Sequence, residues 1–277
     1  NASRRLWRRS SQLKYAGTQY AKRDVIGDTA VINNFSYQAL RDYYEKWYGP
    51  DLQPIVIVGD IDVDKMEAKI KELWKDVPAR ANRGERPIYP LGNNAEPIIA
   101  IVTDKEAQNT RIDLEYKKAP LPEQFKGTIV DATHQYASQL ISSIMRYRFE
   151  EITTKAESPI MASLVTYGEL VKSTDAYRMI GIAKEGQAQA ALMTLFLEGE
   201  KLKRFGVTAS ELERAKAEML KQYENAYNER NNQKNIDLTE EYIHHYLDGS
   251  FIPGIEMEYE IVKAIYDRDM AIKNFVP

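Results

Sequence analysis

One stretch near the start, Phe35 to Trp74, constrains this chain more than any other. It reads Phe-Ser-Tyr-Gln-Ala-Leu-Arg-Asp-Tyr-Tyr-Glu-Lys-Trp-Tyr-Gly-Pro, then the apolar burst Ile55-Val56-Ile57-Val58-Gly59-Asp60, then a second run from Val63. Tyr37, Leu40, Tyr44, Trp47 and Tyr48 recur at helical spacing behind Ser36, whose hydroxyl can cap the first turn, and Gly49-Pro50 ends the run. The spacing predicts an amphipathic helix of about three turns. Ile55 to Val58 is a short β-branched run without alternation, the pattern of a strand covered on both faces. Val63, Met66, Ile70, Leu73 and Trp74 predict another helix. Helix, strand, helix is common grammar and names no function by itself.

Farther on, Ala79 to Pro87 is polar, non-periodic and contains Gly and Pro, so a boundary falls between Pro78 and Pro90. Two strands are expected next, an apolar run from Pro97 to Val102 and a half-buried strand in which Ile112, Leu114 and Tyr116 alternate with Arg111, Asp113 and Glu115. Ile129, Ala132, Tyr136, Leu140 and Ile144 then mark a long helix reaching about Ile152. Met161 to Leu170 and Ala176 to Lys184 read as a hairpin joined by Lys172 to Asp175. Ala188 to Phe205 is helical, Gly206 suits its C-terminal cap, and Thr208-x-x-Glu211 is a capping box for the next helix. Asn231-Asn232 marks a break before a last helix from Leu238 to Leu247. The order ββ-α-ββ-α-α predicts an α+β fold, helices packed on one face of a mostly antiparallel sheet.

At 277 residues, 43% apolar and 29% charged, the chain can bury two modest cores, and no apolar run reaches the length of a membrane span. The absence of Cys excludes disulfides, thiol catalysis and Cys-ligated zinc. The first 23 residues hold seven basic side chains (Arg4, Arg5, Arg8, Arg9, Lys14, Lys22, Arg23) and no acid. Arg4 to Arg9 has only two apolar residues and no base-stacking pattern beyond Trp7, so the stretch reads as a helix severed from its parent domain rather than a nucleic-acid arm.

The pieces Arg23-Asp24-Val25-Ile26-Gly27-Asp28, Phe35 to Tyr48, Pro50 and Val58-Gly59-Asp60-Ile61-Asp62 resemble, in composition and spacing, the end of the first domain of an M16 (insulinase/pitrilysin-type) zinc metallopeptidase. Thr103-Asp104-Lys105-Glu106-Ala107, Phe205 to Lys216 and Ile252-Pro253-Gly254-Ile255-Glu256 resemble the second, non-zinc M16 domain. The resemblance implies M16-like layers after an incomplete first domain. Residues 1–82 would end the zinc-bearing domain, 83–96 would be a linker, 97–250 the second domain, and 251–277 the start of a linker to a following half. It also implies a function: a fragment of a zinc-dependent metalloendopeptidase, forming part of the peptide-binding chamber.

Members of that family hold zinc with an inverted His-x-x-Glu-His helix and a more distal Glu, the motif's own Glu activating the bound water. The three His here do not fit. His134 precedes Gln135-Tyr136-Ala137-Ser138, and His244-His245 precede Tyr246-Leu247-Asp248. The chain is therefore expected to begin after the metal site, with zinc in the parent protein and no catalytic, cofactor-binding or metal-ligating residue in these 277. An Arg and a Tyr that contact the substrate carbonyl in many members align with Thr153 and Ile160, which do not match. Implied partners are a peptide or small protein substrate of the parent and the rest of the M16 chain or a second half. A homo-oligomer would form through an uncovered apolar face, part of the Tyr37/Leu40/Tyr44/Trp47 stripe. A bacterial envelope or periplasmic location is the expected compartment. The alternative is a non-catalytic M16-like binding or structural partner subunit.

Other chemical candidates have plain structural readings. Glu240/His244 and Glu241/His245 stand at i, i+4, a spacing that can share a metal, but two ligands make a surface ion pair more readily than a site. His134 reads as a satisfied helix-edge histidine. Glu150-Glu151 has no partner signal. Asp60/Asp62/Asp64 lacks the glycine and terminal Glu of a calcium loop, and Val56 to Asp60 lacks the glycines of a nucleotide cradle.

Overall fold

The computed structural model describes residues 1–79 and 84–266. In chain order it forms α1 (Ala2–Lys14), α2 (Gln19–Lys22), α3 (Thr29–Asn34), α4 (Tyr37–Trp47) and α5 (Val63–Trp74). Then come β1 (Thr110–Lys118), α6 (Ile129–Thr153), β2 (Ile160–Val171), β3 (Thr174–Ala183), α7 (Ala188–Phe205), α8 (Ala209–Asn228), α9 (Asn235–Asp248) and α10 (Ile255–Tyr266). Two compact units result: one of Asn1–Lys22, Ile88–Arg230 and Pro253 onward, the other of Arg23–Pro87 and Asn231–Ile252.

The first unit is an antiparallel sheet of order β1-β3-β2 with helices against it. β1 runs from Thr110 opposite Ala183 to Lys118 opposite Asp175. The β2–β3 hairpin is tighter than the sequence predicts, turning at Lys172-Ser173 with an irregularity between Glu169 and Val171. Because paired residues share a face, Tyr116, Tyr177 and Tyr167 form one row, and Leu114, Met179 and Val165 the next. These rows face the helices. A β-carbon on Gly181 would stand 3.1 Å from Leu195 of α7, and one on Gly199 would stand 2.8 Å from Met179, so both glycines let α7 lie close to the sheet.

Thr128 caps α6, its hydroxyl accepting from the Val130 amide at 3.2 Å. Ala132, Tyr136, Leu140 and Ile144 are buried as their spacing predicts, while Ile129, expected on the same stripe, is 55% exposed. A second row, Ala137, Ile141, Met145 and Phe149, is buried as well, because α6 packs against β2 on one side and α8 on another. The α7–α8 junction follows the sequence reading. Gly206 takes φ +71°, which suits glycine, and Thr208 and Glu211 form the reciprocal capping box. Ile255–Tyr266 is the helix α10, packed on α8 with Val262 buried.

In the second unit α3, α4 and α5 start on Asp28, Ser36 and Asp62, each side chain accepting a first-turn amide. None of these helices, nor α9, buries a residue within the chain. Tyr37, Leu40 and Tyr44 of the α4 stripe are exposed, and Tyr44 stacks on Tyr48.

Two expected strands are not strands. Ile55 to Val58 and Pro97 to Val102 enter no ladder, and Ile55, Ile57, Ile99 and Ile101 are exposed. An apolar extended run becomes a strand only when a neighbour takes its amides and carbonyls, and no described segment pairs with either. Residues 80–83, inside the expected linker, and 267–277, inside the expected 251–277 segment, lie outside the described residues. No described helix is long and apolar enough to cross a membrane.

Candidate functional site

The histidines do not meet the acids expected beside them. His244 Nδ1 lies 3.2 Å from Asp248, and His245 Nδ1 lies 2.7 Å from the Ser250 carbonyl oxygen. Both side chains lean toward the C-terminus of α9, where unpaired carbonyls and the helix dipole favour a donor or a cation. His134 is half-buried, its ring edge-on to Tyr167 at 5.4 Å, and Tyr167 donates to Asp175 at 2.9 Å. Burial holds the His134 imidazole below its ordinary pKa.

The acid pairs are equally structural. Glu150 is engaged by Arg146 at 2.9 Å, and Asp62 caps α5 while pairing with Lys65 at 2.8 Å. Thr153 gives its hydroxyl to the Glu150 carbonyl, and Ile160 is fully buried at the start of β2. Neither can take the role of the family's Arg and Tyr. Among the described residues no three His, Asp or Glu side chains stand close enough to hold a metal.

Sequence reading missed Arg148. From α6 it grips Glu211 with both arms, Nε at 2.6 Å and Nη2 at 2.9 Å, and donates to the Gly206 carbonyl at 3.0 Å. Both side chains are largely covered, and the Arg148 guanidinium holds the Glu211 carboxyl down at about 2. Arg148 also lines an open cleft of about 420 Å³ with Ile152, Lys155, Glu198, Lys201 and Phe205. Buried Glu198 is tied to Lys201 at 2.5 Å, so the buried acid of the cleft is already paired.

The basic stretch is a helix, α1, and it lies in the same compact unit as the sheet. Arg5 meets Asp104 at 2.7 Å through two nitrogens and Glu106 at 2.7 Å, Arg9 donates to the Thr103 carbonyl at 3.0 Å, and Lys14 meets Glu115 at 2.6 Å. Arg5 keeps the Asp104 carboxyl well below the usual carboxylate range. These contacts attach α1 to Thr103–Glu106 and to β1.

A family model described as "Peptidase M16 inactive domain" matches residues 34–219. A curated relative from Arabidopsis thaliana, a zinc protease PQQL-like protein, is 24% identical over 266 residues, 96% of this chain and 25% of that protein. The probable zinc protease PqqL of Escherichia coli is 22% identical over 268 residues, 95% of this chain and 28% of that protein. The chain thus spans about a quarter of the length of these curated relatives. The crystal structure of the first half of the periplasmic protease PqqL from Escherichia coli shares the fold, with a TM-score of 0.80 at 19% identity over 100% of this chain and 58% of that one. A helix-on-antiparallel-sheet fold of M16 type and a family match over most of the sequence point the same way: the chain belongs to the peptidase M16 family, as its inactive domain.

Proposed function

We propose that these residues are one piece of a zinc-dependent M16 metalloendopeptidase and form part of the wall of its peptide-binding chamber, with the zinc ligands elsewhere in the longer protein. The family match at residues 34–219, to a domain described as inactive, carries this reading. The residues here do not fit zinc, since no three-ligand group converges among those described, and no step through the metal is assigned to them. The division into 1–82, 83–96, 97–250 and 251–277 is part of the same proposal. So are a peptide or small protein as substrate and a periplasmic setting, the latter supported by the Escherichia coli protein's description.

The exposed Tyr37, Leu40 and Tyr44 support a further partner, the rest of the M16 chain or, in 1–277 alone, a second copy. Light scattering on 1–277 is expected to show association that grows with concentration, and a strict monomer at high concentration would count against it. The mismatch at Thr153 and Ile160 favours a second reading, a non-catalytic M16-like partner subunit. Peptide hydrolysis by the longer protein, abolished by a chelator, separates the two: the first reading requires it, and its absence supports the second.

A further inference from the structure

We propose that Arg178 and Thr166 form a binding site for a carboxylate on the sheet face opposite α6 and α7. In the β1-β3-β2 register Glu115, Arg178 and Thr166 stand side by side, so their side chains share one row. That row alternates with the helix-facing residues and lies on the face that Lys14 of α1 reaches. The Arg178 Nε and the Thr166 Oγ1 are both buried and have no hydrogen-bond partner. Such atoms are rarely left unpaired, and here two of them are neighbours.

Glu115 is the acid placed to neutralise Arg178, but its carboxylate is drawn to Lys14 at 2.5 Å. Asp113, on the next row, is held by Arg111 at 2.6 Å. No described acid forms an ion pair with Arg178, so the guanidinium edge keeps its donors beside a free hydroxyl. A guanidinium edge matches the two oxygens of a carboxylate, and the hydroxyl adds a third donor. Beside the pair, Leu164 and Ile180 form an apolar row with Leu164 56% exposed, which suits the chain of a peptide that carries the acid.

The source of the carboxylate rests on the chamber-wall reading: a peptide's C-terminus or an acidic side chain. Nitrogen-15 NMR of 1–277 tests the site directly, following the Arg178 Nε–H signal during titration with acetate, then with acetyl-Gly-Gly and with acetyl-Glu-Gly amide. A saturable shift is expected with acetate and with at least one peptide, the peptide identifying the source. Thr166→Val should weaken acetate binding about tenfold, the loss of one hydrogen bond to a charged group, with other resonances unchanged. Arg178→Gln should abolish it. No shift, an equal shift with chloride or acetamide, or unchanged affinity in Thr166→Val would overturn the site. Acetate binding together with failed hydrolysis by the longer protein would sink the chamber reading and leave this site standing. Hydrolysis without acetate binding would sink the site alone.

Discussion

Phe149→Ala is expected to lower the unfolding free energy of 1–277 by about 3–5 kcal/mol, the cost of removing a fully buried aromatic ring and leaving a cavity. Phe149 is 0% exposed and closes the second buried row of α6, behind Ile141 and Met145, where the helix is wedged between β2 and α8. A core packed on two sides cannot collapse far into the space. Urea denaturation checks it, and a loss under about 1 kcal/mol would contradict the placement of this ring.

Arg148→Met is expected to cost about 2–3 kcal/mol near neutral pH, because it strips two charge-assisted bonds from Glu211 and one donor from the Gly206 carbonyl. The pH dependence has a definite sign. Glu211 is held at about 2 when folded, below the ordinary Glu value, so its contribution is fully present above the unfolded pKa and fades as pH falls toward the folded one. The gap between the parent and Arg148→Met should therefore be widest above about pH 5 and close as pH drops toward 2. The Arg148 bond to the Gly206 carbonyl does not titrate and is lost in the variant, so a small difference persists at low pH. A gap that widens on acidification would show that Arg148 acts elsewhere.

Legibility in the sequence followed how local the physics is. The Thr208/Glu211 capping box, the Gly206 cap, the Ser36 cap and the β2–β3 hairpin rest on side chains and backbone a few residues apart, and each was readable. Ile55–Val58 and Pro97–Val102 were misread because strand propensity counts only when a second segment supplies the ladder. Ile129 was misplaced for a related reason: it opens α6 beyond the packed part of the stripe. The Arg148–Glu211 grip spans 63 residues and the Arg178–Thr166 row exists only through strand register, so neither leaves a motif to find. The histidines show the same limit in miniature, since helical spacing put Glu240 and Glu241 in reach while the helix end drew both rings the other way.

The family block from Phe35 to Trp74 and the match to an M16 inactive domain at residues 34–219 support the central proposal, that this domain shapes a chamber whose zinc ligands lie elsewhere in the longer protein. Metal analysis of purified 1–277 after equilibration with zinc and desalting tests it most directly. The account predicts far less than one zinc per chain and no peptide cleavage; one tightly held zinc per chain, with cleavage that a chelator stops, would contradict it.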